Sequence, residues 1–443
     1  MLVVLCYNIG MGRDLSGLLK RSLDGSRLEL LHLLAYQAST LRMPLYLVGG
    51  VVRDIMLGRK VNDFDLVLEG NSAQFAEYIV RRFGGKIHVH PKFGTATWTP
   101  NESTFRRLNV PVFQGSGSPL SFDLISARSE KYEYPGALPT VQRSSIDDDL
   151  RRRDFTINAI ALRLDSEPFG ELFDPLGGEL DLAAGLIRVL HDRSFVDDPT
   201  RMFRAARYAA RYGFEIAPET LRLVNEEARI VLSQLSGERL RHEFDLIFEE
   251  ENPVPMLEQL KALGLLRWVH MGLQNADVRS LTASLSKPGE KFGEFIIPDL
   301  LSFRQTLGWV LYLLPLTGSD IEAVGKRLTF PALLTKAVRD ASSLMRSLTS
   351  LQDLKPSQWT FRLDEIPALA VYAVWLVTSQ TALKEYLTTW RQIKPYTTGY
   401  ALQQRGLTPS PKFREILTRL RAAWLDGEVK TEEEELKLLN ALQ

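Results

Sequence analysis

The chain has 443 residues, 45% of them hydrophobic and 24% charged, with 54 basic and 54 acidic side chains and a formal net charge of +0. That length predicts two to four folding units at roughly 100–200 residues per domain, and the zero balance excludes molecule-wide attraction for nucleic acid, so an RNA-binding surface must be a local basic patch. Its single cysteine, Cys6, excludes an intramolecular disulfide and a cysteine-built zinc site; a reducing cytoplasm is the expected compartment, although a disulfide-free secreted protein has the same composition, and with no signal-peptide pattern at 1–9 and no run of about 18 apolar residues, no membrane span is expected.

Residues 15–41 carry leucines at three- and four-residue spacing and predict a helix. Residues 45–48 predict a short buried strand running into Gly49-Gly50, followed by a helix over 51–57 that Gly58 stops and a second strand over 64–68. Further strands are expected at 86–90, 95–99 and 122–126, with 100–119, punctuated by Pro, Gly and Ser, as a long hairpin loop or insertion. The chain up to 180 is thus a mixed unit with a small, mostly antiparallel sheet. Strand signals then almost vanish, and helices are expected at 198–212, 218–232, 237–248 and 254–263 and onward to the end. The apolar stretch 366–377 predicts a buried helix, and the acidic run 432–435 a solvated helix start. Breaks are expected near Asp181, Glu251-Asn252-Pro253 and Lys394-Pro395. The fold class is α+β.

Asp63-Phe64-Asp65 opens the second strand. Residues i and i+2 of a strand share a face, so both carboxylates project together and Phe64 turns to the core. Paired hard oxygens suit Mg2+, and two such ions about 3.5–4 Å apart clamp the attacking hydroxyl and the triphosphate in an in-line transfer. A third acid is wanted from a neighbouring strand, and Asp123 in Phe122-Asp123-Leu124-Ile125 is the best candidate. Such acids alone also suit turns and strand edges; the context strengthens the metal reading. One short helix upstream, Gly49 and Gly50 stand between a strand and a helix, where backbone N–H groups can approach phosphate, and Arg53 adds a guanidinium.

Leu47 to Asp54 followed by Asp63-Phe64-Asp65 resembles the first motif of class II CCA-adding enzymes and bacterial poly(A) polymerases. Arg152-Arg153-Asp154-Phe155-Thr156-Ile157-Asn158-Ala159 is similar to the second. Asp174-Pro175-Leu176-Gly177-Gly178 with Asp181-Leu182 resembles the third, a hinge between head and neck. Asp197-Asp198-Pro199-Thr200-Arg201 with Arg204 and Arg207 resembles the nucleotide-reading motif, and Glu238 to Phe244 the last. These five motifs, in family order, span 45–250; the C-terminal third resembles the family only in its helical character.

The resemblance implies an N-terminal helical extension (1–43), a nucleotidyltransferase head (44–180), a helical neck (181–250), a helical body (251–393) and a helical tail (394–443). It implies Mg2+ on Asp63 and Asp65, with Asp123 a further catalytic acid. Gly50, Arg53 and Arg153 would contact the triphosphate and sugar, Gly49, Asp154 and Asn158 would also belong to the nucleotide site, and Asp198, Arg201, Arg204 and Arg207 would bind the incoming nucleotide. The implied reaction is attack of an RNA 3′ hydroxyl on the α-phosphate of ATP or CTP, releasing pyrophosphate. The partner is the tRNA 3′ acceptor end, with CCA as the expected product, and no DNA partner is expected. A-adding, CC-adding and poly(A)-adding siblings remain alternatives, as does a silent RNA-binding protein, which the presence of Asp63, Asp65 and Arg153 argues against. The segment 129–149 lies at the family's flexible loop and is full length, favouring an A-capable enzyme. Two departures are Asp197, where the family often has Glu, and the long 100–119 segment.

The four reader residues recur at three-residue steps, which makes one drifting helix face. Ala205, Ala206, Ala209 and Ala210 lie opposite. An aspartate accepts from the exocyclic amine of C or A, and an arginine donates to the adjacent ring nitrogen; U and G present the reverse pattern. Taken alone, the stripe reads more simply as a solvated face pairing with Glu215 or Glu219. His88 and His90 share a strand face but make a poor metal site by themselves and suit an exposed edge. His191-Asp192 lacks companion histidines and reads as a loop. Residues 393–400 with the basic helix 412–421 suit RNA phosphates or a plain surface equally.

Overall fold

A computed structural model describes residues 12–61, 64–90, 94–108, 120–285, 302–351 and 353–442. The chain forms two compact units, Met1–Gln234 and Leu235–Gln443.

In the first unit the leucine-rich run is two helices, α1 (Ser16–Ser22) and α2 (Gly25–Thr40), rather than the one expected. Leu23 is extended, and the Asp24 carboxylate accepts from Arg27 N at 3.0 Å, capping a fresh helix. Then come β1 (Leu45–Val48), α3 (Gly50–Met56), β2 (Asp65–Leu68), α4 (Ser72–Phe83), β3 (Lys86–His90) and β4 (Thr95–Thr99). Part of the expected loop at 100–119 is helix α5 (Glu102–Leu108). Asn101 starts it by accepting from Thr104 N at 3.1 Å, and Phe105 anchors it in the core; 109–119 lie outside the described residues.

After β5 (Phe122–Ser126), β6 (Arg128–Lys131) and β7 (Thr140–Arg143) pair as an antiparallel ribbon. The segment expected as a flexible loop is therefore a β-hairpin leading into α6 (Ile146–Arg151). Two three-residue strands follow, β8 (Ala161–Arg163) and β9 (Glu171–Phe173). The sheet runs β3-β4-β5-β2-β1-β8-β9, with every pairing antiparallel except β2 with β5. Helix α4 packs on β3, β4 and β5 through Phe75, Ala76 and Ile79. On the other face, Tyr46, Val48, Val67, Ala127, Ala159 and Ala161 cluster with Ile146 and Leu150 of α6. Each such fully buried large aliphatic contributes about 1.5–3 kcal/mol relative to exposure.

Asp181, near the expected head–neck boundary, lies inside α7 (Gly178–Ala184). It accepts from Thr156 Oγ1 at 2.6 Å and from Arg188 Nε at 2.9 Å. A Cβ on Gly178 would stand 2.1 Å from the Thr156 carbonyl oxygen, so only glycine lets this helix approach. The unit closes with α8 (Ser194–Asp197), α9 (Thr200–Tyr212), α10 (Pro218–Arg222) and α11 (Glu226–Gln234), the last two replacing the single helix expected at 218–232.

Among the described residues of the second unit, every regular element is a helix. Phe244, Phe248, Trp309 and Phe330 form an aromatic core, and the Trp309 indole donates to Asp245 at 2.7 Å. The helix Ala368–Thr378 is buried from Leu369 to Leu376, as its apolar run predicts. Among the described residues, no helix is long and apolar enough to cross a membrane. The acidic run is only partly solvated. Glu435 is 1% exposed and accepts from Tyr396 N (2.9 Å), Thr397 N (2.7 Å) and Trp424 Nε1 (2.5 Å).

Candidate active site

The parallel pairing of β2 with β5 sets Asp65 directly beside Asp123. Registered neighbours point to the same face, about 4.8 Å apart between strands. Parallel strands also bring their N-terminal ends to one edge of the sheet, so acids at the first position of β2 and the second of β5 emerge together. Asp123 is exposed, Asp65 half-buried, and Thr97 Oγ1 donates to Asp123 Oδ1 at 2.6 Å. Phe64 is buried against Phe122, with ring centroids 5.5 Å apart, as its place between two acids predicts. Asp63 lies outside the described residues. Among the described residues no cluster of three or more ligating side chains occurs; the Asp65–Asp123 pair offers hard oxygens on an open face, a donor set that fits Mg2+.

At the end of β1, Gly49 adopts φ +69, and a Cβ there would lie 2.4 Å from Arg153 Nη1. Glycine is required on both counts. Arg153 reaches over this turn from the end of α6 and is held by Asp149, at 2.9 Å. Asp149 is 0% exposed and also pairs with Arg152 at 2.7 Å. Burial opposes its charge, but Arg153 and Arg152 outweigh that and hold its carboxyl below the usual range.

Arg53 is buried beneath the same turn. It donates to both Asp54 oxygens (2.9 and 3.0 Å) and to Asn158 Oδ1 (2.5 Å), and stacks on Tyr212 and Tyr208 at 4.7 and 5.4 Å. Asn158 donates to Asp154 Oδ1 at 2.9 Å, and Asp154 Oδ2 pairs with Arg204 at 2.7 Å. One continuous chain therefore links Arg53, Asn158, Asp154 and Arg204. Burial works against the Asp154 charge, yet Arg204, the Asn158 amide and Arg201 keep its pKa lowered.

The reader stripe is not a solvated face. Arg201 and Arg207 are buried, and Arg204 is committed to Asp154. Arg201 Nη1 donates to Ser194 Oγ at 2.7 Å, while Nη2 donates to the Arg152 carbonyl at 2.9 Å and to the Tyr132 hydroxyl at 3.4 Å. Glu219 pairs with Arg188, not with the stripe. Asp198 precedes α9 and accepts from Thr200 N and Oγ1 at 3.2 and 2.8 Å. Tyr132, on the hairpin, donates to Glu130, which pairs with Arg152 at 2.9 Å; burial pushes the Tyr132 hydroxyl up to about 12. The structure thus joins the Gly49 turn, Arg53, Arg153, Asp154, Asn158 and Arg204 in one network, and Arg201 to the hairpin.

Sequence reasoning missed Thr97, Asp149, Tyr132, Tyr208 and Tyr212. The i, i+4 spacing of the last two marks a shared helix face, but nothing local names Arg53 as their partner. His191 and Asp192 lie in a loop, and Lys86, His88 and His90 are exposed on the edge strand β3, as expected.

Residues 45–188 match the Poly A polymerase head domain, and residues 213–276 the probable RNA and SrmB-binding site of polymerase A. The chain is 33% identical over 433 residues to the A-adding tRNA nucleotidyltransferase of Halalkalibacterium halodurans, covering 96% of this chain and 94% of the relative. It is 35% identical over 445 residues to the A-adding tRNA nucleotidyltransferase of Geobacter sulfurreducens, covering 96% of this chain but only 48% of that relative, and so spans about half its length. Among solved structures, the Thermotoga maritima CCA-adding enzyme complexed with tRNA is similar at a TM-score of 0.72 and 30% identity, covering 98% of this chain and 99% of that one.

Proposed function

This chain belongs to the tRNA nucleotidyltransferase family that shares the poly A polymerase head, and from that premise we propose that it extends the 3′ end of tRNA without a template, terminal A being among the nucleotides it adds. The observation that carries this is the registered Asp65–Asp123 pair beside the Gly49 turn. The RNA 3′ hydroxyl gives its proton to solvent as its oxygen bonds to the α-phosphorus of the triphosphate, the bond from that phosphorus to the oxygen bridging to the β-phosphate breaks, and pyrophosphate leaves. Asp65 and Asp123, with Asp63, would hold Mg2+, which when bound supplies Lewis-acid stabilisation of the charge developing on both oxygens.

Arg153, poised over Gly49 by Asp149, contacts the triphosphate; Arg53 and Asp154 fix Asn158 and the turn on which the nucleotide rests. Asp198 accepts the amine of adenine or cytosine, with Arg201 donating alongside it, which disfavours U and G. Arg204 and Arg207 extend the nucleotide site along α9, with Arg204 held by Asp154. Residues 44–180 serve as head, 181–250 as neck, and 251–393 and 394–443 as body and tail that grip tRNA by phosphates and shape, in the cytoplasm where tRNA ends are completed.

Similarity along nearly the whole length to A-adding relatives favours A addition; similarity over 98% of the chain to a CCA-adding enzyme supports full triplet addition as the second reading. Incubating tRNAs that end before C, after one C and after CC with CTP or ATP separates the two. ATP extends the CC-ended tRNA under both; CTP extends the shorter ends only under the second. Absence of extension on every end rejects both.

A further inference from the structure

The carboxylate pair is one end of a longer row. Asp65 registers with Asp123, Asp123 with Thr97, and Thr97 with His88. Registered neighbours share a face, so four side chains cross β2, β5, β4 and β3 in a line, spanning about 14 Å at roughly 4.8 Å per strand. Lys86 and His90 flank His88 on that face of β3, and Thr95 and Thr99 flank Thr97 on β4. Lys86, His88 and His90 are exposed and the three threonines half-buried, whereas Ala96 and Trp98, pointing the other way, are fully buried.

We propose that this row seats the terminal nucleotides of the acceptor RNA, its single-stranded 3′ end lying over β5, β4 and β3; this rests on the transfer reaction proposed above. In an in-line displacement the attacking and leaving oxygens lie on opposite sides of phosphorus. The residues assigned to the triphosphate, Arg53 and Arg153 with Gly49, sit on the β1 side of Asp65, so the attacking strand comes from the β5 side. The rest of the same face cannot take it, because Ile146 and Leu150 are packed over β1 and β8. The row's chemistry suits a sugar–phosphate chain: an ammonium, two imidazoles and three hydroxyls offer donors to phosphate and ribose oxygens, and imidazole planes accept stacked bases. The His88 and His90 rings lie edge to face at 4.4 Å, forming a continuous aromatic patch. Protection of an edge strand accounts for Lys86 but not for a polar row that runs into the carboxylates. Thr97, bonded to Asp123, is in this scheme a positioning residue for the acid nearest the arriving 3′ hydroxyl.

The test uses the full chain with its only cysteine removed, Cys6→Ser, carrying either His88→Cys or, as control, Tyr36→Cys on α2, a position 70% exposed in the same unit. Each is mixed with a CC-ended tRNA bearing a thiol-reactive tether on its third nucleotide from the 3′ end. Crosslinking at His88→Cys well above the control, and competed by unmodified tRNA, is the expected result; yield at or below the control overturns the inference. In parallel, His88→Ala with His90→Ala raises the KM for tRNA about tenfold through two lost hydrogen bonds, with the KM for ATP unmoved; an unchanged tRNA KM also counts against it. If the unmodified chain transfers no AMP, the transfer reading has failed; if it transfers AMP but His88→Cys does not crosslink, only the RNA path has.

Discussion

The buried Asp154–Arg204 pair makes an asymmetric prediction. Asp154 is buried and Arg204 about a third exposed, their charged atoms 2.7 Å apart. Arg204→Ala strands a carboxylate in the interior, and removing one partner of a buried pair costs about 3–5 kcal/mol. Asp154 keeps its bonds from Phe155 N and the Asn158 amide, both 2.9 Å, and the nearby Arg201 charge, which places the cost near the lower bound. Asp154→Asn instead leaves a guanidinium that water can reach and preserves the side chain's shape, so the cost is roughly 1.5–3 kcal/mol, that of one charged hydrogen bond. Arg204→Ala is therefore the more damaging change, and the double variant recovers part of its loss. Because the chain has two compact units, a single melting curve does not isolate this effect. Native-state hydrogen exchange of peptides over 150–160 and 200–212 does. The pH dependence has a fixed sign. Asp154 and Asp149 both have lowered folded-state pKa values, so the unfolded chain binds protons first. Their contribution is fully present above the ordinary carboxylate value and is lost as pH falls below about 4. Asp154→Asn makes that acid decline shallower. Equal costs for the two single variants, or an unchanged acid decline, would mean that the pair does not hold a buried carboxylate charge.

Asp65→Ala abolishes incorporation of every nucleotide while tRNA binding, followed by filter retention, stays intact; Asp123→Ala causes a large but less complete loss. Gly49→Ala combines a left-handed φ with a contact 2.4 Å from Arg153, and by displacing that guanidinium it lowers kcat/KM for ATP by about 10²-fold; near-normal kinetics would show that Arg153 is not needed where it stands. Asp198→Ala removes an acceptor worth roughly 1.5–3 kcal/mol, or about one to two decades of discrimination between ATP and GTP; an equal fall in kcat/KM for all four triphosphates would make Asp198 structural.

The face shared by the carboxylates proposed to hold Mg2+ was readable because a strand alternates strictly. Phe64 had to face the core, and Asp123 sat in the alternating Phe122-Asp123-Leu124. What sequence could not supply was register: nothing local says that Asp65 pairs with Asp123, or that the row continues through Thr97 to His88. Periodicity misjudged 15–41, because leucine spacing continues through Leu23 although Asp24 restarts the helix. Composition misjudged 100–108, where Asn101 caps a helix amid loop-like residues. Three-residue strands such as β8 leave too short a pattern to detect. The arginines at three-residue steps were visible, but not their depth; Arg201 is 4% exposed because Ser194, Tyr132 and the Arg152 carbonyl, remote in sequence or unmarked by it, enclose it.

We propose that the acids on β2 and β5 direct transfer of a nucleotide to the end of tRNA. Its most direct test is a time course of α-labelled ATP with CC-ended tRNA, with pyrophosphate release measured in the same tube. One A per tRNA and one pyrophosphate per A are expected, and neither with Asp65→Ala. Release of pyrophosphate without extension, long A tails, or equal extension by Asp65→Ala would contradict it.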